Sequence, residues 1–518
     1  MTSHSAAPQL NSIRWLFDVA DESDTIAFAR ILAAHLQKGD LVTLSGDLGS
    51  GKTAFARALI RALANDDALE VPSPTFTLIQ NYDTPNMSVI HCDLYRLREP
   101  DELIELGFDE LSRDSLSLVE WASHAAELEA RADIDIHLSL KPHTQGIGRA
   151  MAVTVRGEHI SRLKSTMDVI TLLAFSGWLS AKRIAIAGDA SGRHFERLTK
   201  NGSSAILMHA PTPVAGSILR DGKTYRTLAR LSDSLGSFIA MAKALREEGV
   251  SAPEILAANI ENGLALVEDF GVDCLTRDQA PIADRYREAV SLLAHLHAKS
   301  LPQLIAGQEG ESYRLPSYDL EPLLTEVELF LEWYYPAFSQ APLSDEARIQ
   351  FFDLWRVLIE PCLKDRQTWT LRDYHSPNLF WLSGREGYQR IGVIDIQDAV
   401  YGHPAYDLAS LLQDARIAIP EALELGLIKY YADLREAVDP AFNLAQFLNA
   451  YAIYAAQRVT KILGIFVRLD QRDHKPDYLQ HLPHMRAYLK RNLAYPALAP
   501  LRTWFSNVLP ELFDGENA

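Results

Sequence analysis

The order of apolar and polar residues changes period repeatedly along the chain. "SDTIAFARILAAHL" repeats apolar residues every three or four positions, which predicts a helix over about 23–37 with Ser23 and Asp24 as caps. "LVTLSG" (41–46) reads as a buried strand, and "KTAFARALIRALA" as the helix that leaves the glycine turn after it. Further strands are predicted at "TFTLIQNY" (75–82), "SVIHCDL" (88–94), "LSLVEW" (116–121), "IDIHLSL" (134–140) and "AMAVTVRG" (150–157). Strands and helices in that mixture imply an α/β layer domain. It ends near 158–164, where the pattern turns polar. A helix, "STMDVITLLAFSGWLS", opens a second region and is followed by the β-like runs "RIAIAG", "HFERLT" and "SAILMHA". The turn "KNG" (200–202) between the last two predicts a hairpin. From about 285 the pattern is mostly helical, interrupted by short strands over 366–400.

Composition narrows the picture. With 518 residues the chain exceeds one ordinary core, so two or more domains are expected. Three distant cysteines, Cys92, Cys274 and Cys362, suggest neither a disulfide framework nor a zinc site, and the reducing cytoplasm is the expected location. The first residues carry no apolar signal-peptide core, and no apolar run is long enough to span a bilayer. Net charge is −18; 13 Lys and Arg face 24 Asp and Glu in residues 1–160, and 37 face 44 in the remainder. Neither part has the basic footprint of an independent nucleic-acid binder, so no strong direct contact with nucleic acid is expected.

Two stretches carry chemistry. In "SGDLGSGKT" (45–53), Gly46, Gly51, Lys52 and Thr53 fit G-x-x-x-x-G-K-[ST] between a strand and a helix. Gly46, Gly49, Ser50 and Gly51 would turn backbone N–H groups around a phosphate, and the helix N-terminus adds partial positive charge. Lys52 would neutralise the outer phosphates, and the Thr53 hydroxyl would ligate Mg²⁺.

"SPTFTL" (73–78), "HCDLYRL" (91–97), "ELIELGFDEL" (102–111) and "VEW" (119–121) follow in order. With the glycine loop, they resemble over about 10–158 the TsaE family, small bacterial ATPases needed to make threonylcarbamoyladenosine in tRNA. The resemblance implies ATP and Mg²⁺ as cofactors and the other subunits of the threonylcarbamoyl-transfer complex as partners. It makes Thr53 and Glu120 metal ligands and Asp93 a catalytic helper that places metal or water. Ser73, Pro74 and Thr75 would form a nucleotide-sensing segment, with Trp121 beside the site. Cys92 departs from the phenylalanine expected after the histidine and leaves Asp93 in place.

In "LRDYHSPNLFWL" (371–382), Asp373 and Asn378 have the D-x-x-x-x-N spacing of a kinase catalytic loop. Such an Asp accepts the proton of the attacking hydroxyl, and the Asn reaches Mg²⁺. Asp395, ending the apolar run "VID", takes the place of the second metal ligand, and "GHPAYDLA" follows with Asp407.

Together with "AGDASGRHFERL", "ILMHAP", "LVEDFG", "YDLEPLLTEVELFLEWY" and "AAQRVTKILGIFVRL", these residues resemble over about 166–508 the aminoglycoside phosphotransferase-like kinases. Within them, they resemble the bacterial cell-wall sugar kinases that phosphorylate N-acetylmuramate and N-acetylglucosamine at the anomeric position. The resemblance implies that Asp373 is the base and that Asn378 and Asp395 hold Mg²⁺. Gly188, Ser191 and Gly192 would cover the phosphates, and Glu268 and Asp269 would begin the adenine hinge. Glu326, Glu332, Trp333 and Arg458 are its candidates for the sugar side. A kinase carries a lysine on its third strand, whereas Met208 stands there in "SAILMHAP". That departure leaves a nucleotide- or sugar-binding pseudokinase as the alternative.

The expected architecture is α/β: a P-loop NTPase domain over 1–160, then a bilobal protein-kinase-like domain over 166–518.

Overall fold

The seven-stranded sheet that carries the glycine loop is built from β1 (Ser12–Val19), β2 (Leu41–Ser45), β3 (Ile79–Asp83), β4 (Ser88–Asp93), β5 (Ser115–Glu120), β6 (Ile134–His143) and β7 (Gly146–Arg156). This is a computed structural model, and it describes residues 12–513 except 98, 100–101, 144–145, 187–191, 214–215, 233, 308–309 and 340. Packing divides the chain into two compact units, Met1–Ala187 with His194–His209 and Leu256–Leu266, and Gly188–Arg193 with Ala210–Ile255 and Val267–Ala518.

In the first unit the strand order is β1-β7-β6-β2-β5-β4-β3. β6, β2, β5 and β4 run parallel, and the pairs β1–β7, β7–β6 and β3–β4 are antiparallel. Leu41–Leu44 of β2 are buried because the strand is central and covered on both faces. Helix α1 (Glu22–Ala33) is capped by the Asp21 carboxylate, which accepts from the Asp24 N–H. α2 (Lys52–Ala64) starts directly at the loop and buries Phe55, Ala56, Leu59 and Ile60.

Three features depart from the sequence reading, the first being the cap of α1, which is Asp21 and not Ser23 or Asp24. β1 was not anticipated; only Phe17 and Val19 of its side chains are buried, and antiparallel pairing with β7 fixes it. Residues 75–78 do not extend the third strand. They turn, with the Leu78 N–H bonded to Pro74 O, because the Thr75 hydroxyl bonds Asp93 rather than joining a ladder.

The apolar core of this unit continues through the helix His159–Phe175. Leu163, Met167, Ile170 and Leu173 lie in one cluster with Leu118 and Ile136 of the sheet and with Leu198, Ala205 and Leu207. The last three belong to a second sheet, in which β8 (Lys182–Ile186), β9 (His194–Lys200) and β10 (Ser203–His209) are antiparallel. Asn201 and Gly202, at φ 52° and 80°, make the tight turn between β9 and β10. Polar contacts add to this seam. Arg162 Nη2 lies 2.7 Å from both oxygens of buried Asp40, and His159 Nε2 lies 3.1 Å from Asp133. The cluster of Asp40, Asp133 and His159, with Arg162 paired to Asp40, is a polar network at the start of that helix.

The second unit is largely helical. Its longest helix, Leu444–Gln471, passes so close to Leu329 that a Cβ on Gly464 would lie 2.3 Å from that residue's carbonyl carbon. Two short antiparallel pairs, Thr368–Thr370 with Val400–Gly402 and Leu379–Trp381 with Ile391–Val393, frame the segments that hold Asp373, Asn378 and Asp395. Among the described residues, no helix is long and apolar enough to cross a membrane.

Candidate functional sites

The phosphate loop joins β2 to α2. Gly46 sits at φ 129°, and a Cβ there would lie 2.0 Å from Leu138 O, so only glycine fits between the loop and β6. Gly49 and Gly51 also have positive φ. The Arg149 Nε bonds Ser50 O at 3.0 Å, bracing the loop from β7, while the Ser50 side chain is wholly buried and its N–H donates to Asp47 O. Lys52 Nζ folds back onto Gly46 O at 2.8 Å and Asp47 O at 2.9 Å. It also lies 3.8 Å from the centre of the Trp121 ring, whose backbone is left-handed at φ 61°. Burial lowers the Lys52 ammonium below the ordinary lysine value, offset in part by Glu120, Asp93 and Asp47.

Register brings the two acids together: Asp93, the last residue of β4, pairs with Glu120, the last of β5. Thr53 Oγ1 donates to Glu120 Oε2 at 2.9 Å, and His91 Nε2 lies 3.0 Å from Glu120 Oε1. Asp93 Oδ2 accepts from Ser73 at 2.8 Å and from Thr75 at 2.6 Å, while its Oδ1 accepts the Tyr95 N–H. The loop and these acids open on one cavity of about 340 Å³, lined by Gly49, Lys52, Thr53, Thr75, Glu120 and Trp121 among others. A hydroxyl and two carboxylates around a cradle of N–H groups match the hard-oxygen set that Mg²⁺ takes beside a phosphate. Sequence reasoning missed His91, although its position two residues before Asp93 puts it on the same face of β4.

In the second unit, the catalytic-type loop is fixed from below by acids. Asp407 accepts the Leu371 N–H at 2.6 Å and the Arg372 N–H at 2.8 Å; burial pushes its carboxyl up to about 7 against those two bonds. Asp414 accepts the Ser376 N–H at 2.8 Å and its hydroxyl at 2.6 Å. Asn378 Nδ2 donates to the main-chain O of Asp373 at 3.0 Å and approaches Asp395 Oδ2 at 3.5 Å, so its side chain links the loop backbone at Asp373 to Asp395. Asp395, at φ 59°, also accepts from Arg193 Nη1 at 2.6 Å and from Gln397 Nε2 at 2.9 Å. Burial pushes Asp373 upward, but Lys461, His375, Arg372 and Arg458 outweigh it and leave the carboxyl below its usual range. The Asn378 amide and the Asp395 carboxylate lie side by side, and together they could hold a divalent cation once the amide presents its oxygen instead of its nitrogen.

Gly188 and Ser191 lie outside the described residues; Gly192 is exposed, next to Arg193. Glu268 is engaged by Arg385 at 2.6 Å and accepts the Glu254 N–H at 3.2 Å, and Asp269 accepts the Gly271 N–H at 2.9 Å. The residues expected on the sugar side divide. Glu332 and Trp333 lie in a π-helical turn, Phe330–Tyr334, where Glu332 pairs with Arg348 at 2.6 Å. Arg458 is buried and donates to Gln413 O at 3.2 Å. Glu326 is 0% exposed, and its carboxylate is filled by Arg372 (2.5 Å), Lys461 (2.9 Å), Tyr318 (2.5 Å) and Gln457 (3.0 Å). This arrangement leaves no oxygen of Glu326 for a sugar hydroxyl and ties it to Arg372 of the loop. Met208 is buried, at 4% exposure.

Comparison with known proteins matches each half separately. A family model described as "Threonylcarbamoyl adenosine biosynthesis protein TsaE" matches residues 19–150, and the model of the APH "Phosphotransferase enzyme family" matches residues 182–441. The chain is 35% identical over 353 residues to an N-acetylmuramate/N-acetylglucosamine kinase of Caulobacter vibrioides, covering 65% of this chain and 95% of that one. It is 29% identical to the kinase of the same name from Pseudomonas aeruginosa, covering 64% and 90%. It is 41% identical over 119 residues to the tRNA threonylcarbamoyladenosine biosynthesis protein TsaE of Rickettsia bellii, covering 23% of this chain and 82% of that one. A phosphate loop with paired strand-end acids, followed by an Asp–Asn–Asp loop, thus falls within the two matched stretches: the chain is a fusion that belongs to the TsaE family in its N-terminal part and to the APH phosphotransferase family in its C-terminal part.

Proposed function

We propose that the chain carries two Mg²⁺-dependent, ATP-using activities, one within residues 1–160 and one within 166–518. The first is an ATPase subunit that supports threonylcarbamoyladenosine formation in tRNA. The second transfers the γ-phosphoryl group of ATP to an amino sugar of the N-acetylmuramate or N-acetylglucosamine class, at its anomeric hydroxyl. The observation that carries the second reading is that the Asn378 side chain links the backbone of Asp373 to the Asp395 carboxylate. An ionised Asp373 is suited to accept the proton from the sugar hydroxyl as it attacks. Asn378 and Asp395 would hold Mg²⁺, which when bound supplies charge neutralisation on the phosphates.

In the first half, Lys52 and the N–H groups of the loop would bind the nucleotide phosphates. Thr53 and Glu120 would hold the metal, and Asp93 would link it to Ser73 and Thr75. That linkage supports a nucleotide-sensing role for the 73–75 segment, because both hydroxyls bond the same carboxylate oxygen. The acidic balance of residues 1–160 favours other subunits of the threonylcarbamoyl-transfer machinery, rather than tRNA itself, as direct partners. The three unpaired cysteines and the tRNA-linked role favour the cytoplasm. A pseudokinase reading rests on Met208 alone, with the base and both metal-side residues present.

The test is incubation of the full chain with Mg²⁺·ATP and each sugar, followed by ³¹P NMR. A new sugar phosphate signal is expected; its absence with both sugars rejects the kinase assignment.

A further inference from the structure

Loss of the usual lysine at Met208 raises the question of which cation meets the nucleotide phosphates in the kinase half. The charged groups around the catalytic loop are mostly committed. Arg372 and Lys461 both bond Glu326 Oε1, at 2.5 and 2.9 Å. Arg458 is buried against Gln413 O. Arg193 is placed differently. It follows Gly192 and directly precedes β9, its side chain is 21% exposed, and its Nη1 lies 2.6 Å from Asp395 Oδ1. It therefore reaches, from the position after Gly192, the carboxylate expected to hold the metal.

We propose that Arg193 is the phosphate-pairing cation of the kinase half, in place of the lysine missing at Met208, and that without nucleotide it occupies Asp395. The proposal rests on the reading that this half binds Mg²⁺·ATP through Asp395. A phosphate held beside Asp395 would be a second anion within the neighbourhood that Arg193 Nη1 already reaches, so the guanidinium could pass from carboxylate to phosphate. The planar fork of arginine suits both partners, carboxylate and phosphate. Gln397 Nε2, at 2.9 Å from the same oxygen, keeps Asp395 aligned through the exchange.

Two opposite effects follow. Arg193 should strengthen Mg²⁺·ATP binding and weaken binding of a bare divalent cation, because it competes for Asp395 only when no phosphate is present. The experiment uses the full chain carrying Lys52→Ala to silence the phosphate loop, with and without Arg193→Gln or Arg193→Lys. Mg²⁺·ATP affinity is read by calorimetry, and affinity for Mn²⁺ alone by electron paramagnetic resonance. Arg193→Gln should weaken Mg²⁺·ATP about 10- to 100-fold, the range of one lost charge-assisted bond pair, while tightening Mn²⁺ severalfold. Arg193→Lys, which keeps the charge without the fork, should fall between for ATP and stay near the parent for Mn²⁺. Unchanged Mg²⁺·ATP affinity in Arg193→Gln, or parallel loss of both ligands, would overturn the proposal. If the Lys52→Ala parent binds no nucleotide at all, the kinase reading beneath it fails instead.

Discussion

Glu326 offers the sharpest separation between an anchor and a sugar ligand. Replacement by Gln keeps its shape and removes one charge from a fully buried site that also holds Arg372 and Lys461. Two buried cations then lose their shared counter-ion, a change that typically costs about 3–5 kcal/mol. Arg372 also carries left-handed backbone at φ 65°, immediately before Asp373, so its ion pair adds to the Asp407 bonds that hold the loop in that conformation. For a unit of this size the loss corresponds to roughly 5–10 °C in the melting transition of the kinase half. Differential scanning calorimetry of the full chain should show it, with the transition of the other half unmoved. The effect should depend on pH in a defined direction. Burial raises the Glu326 carboxyl, but Lys461 and Arg372 outweigh it and hold it below the usual glutamate value. A depressed carboxylate stabilises the fold above its unfolded pKa and loses that contribution as pH falls through the folded one. The stability gap between wild type and Glu326→Gln should thus be constant above about pH 5, narrow as pH falls through the ordinary glutamate value, and close only below the depressed folded value. An unchanged melting profile with a raised KM for the sugar would refute the anchor and restore Glu326 to the sugar side.

Calorimetric titration of the full chain should give two nucleotide sites, and Lys52→Ala should leave one, since removing a phosphate-pairing charge costs a few kcal/mol of binding; two undiminished sites would disprove the phosphate-loop assignment. Ending a fragment at residue 160 removes Leu163, Met167, Ile170 and Leu173, all 0% exposed, from the first core. At about 1.5–3 kcal/mol per buried side chain, that fragment should melt well below one ending at 180, and equal melting temperatures would show that the helix is dispensable.

How much was legible in advance follows from how local each feature is. The phosphate loop was readable because its glycines, lysine and threonine act through backbone geometry within eight residues. Asp373 and Asn378 were readable for the same reason. β1 escaped notice because it buries only two side chains and depends on β7, more than a hundred residues later, for its pairing. The Thr75 hydroxyl, bonded to Asp93, overrode an apolar run that otherwise reads as strand. The charges around Glu326 come from residues 46 and 135 positions away, and no single-sequence period encodes such a meeting. The pairing of Arg193 with Asp395 spans 202 positions and was equally hidden. Of the expected sugar-side set, Glu326, Glu332 and Trp333 came from one apolar stretch, whose pattern did not separate the buried Glu326 from the exposed Glu332.

The central claim is that Asp373 takes the proton from a sugar hydroxyl during phosphoryl transfer. Rapid-quench measurement of sugar phosphate formation by the full chain, for wild type and Asp373→Asn at saturating Mg²⁺·ATP, tests it most directly. The account predicts a loss of about 10²- to 10⁴-fold in the transfer rate with ATP affinity retained, and equal rates in the two proteins would contradict it.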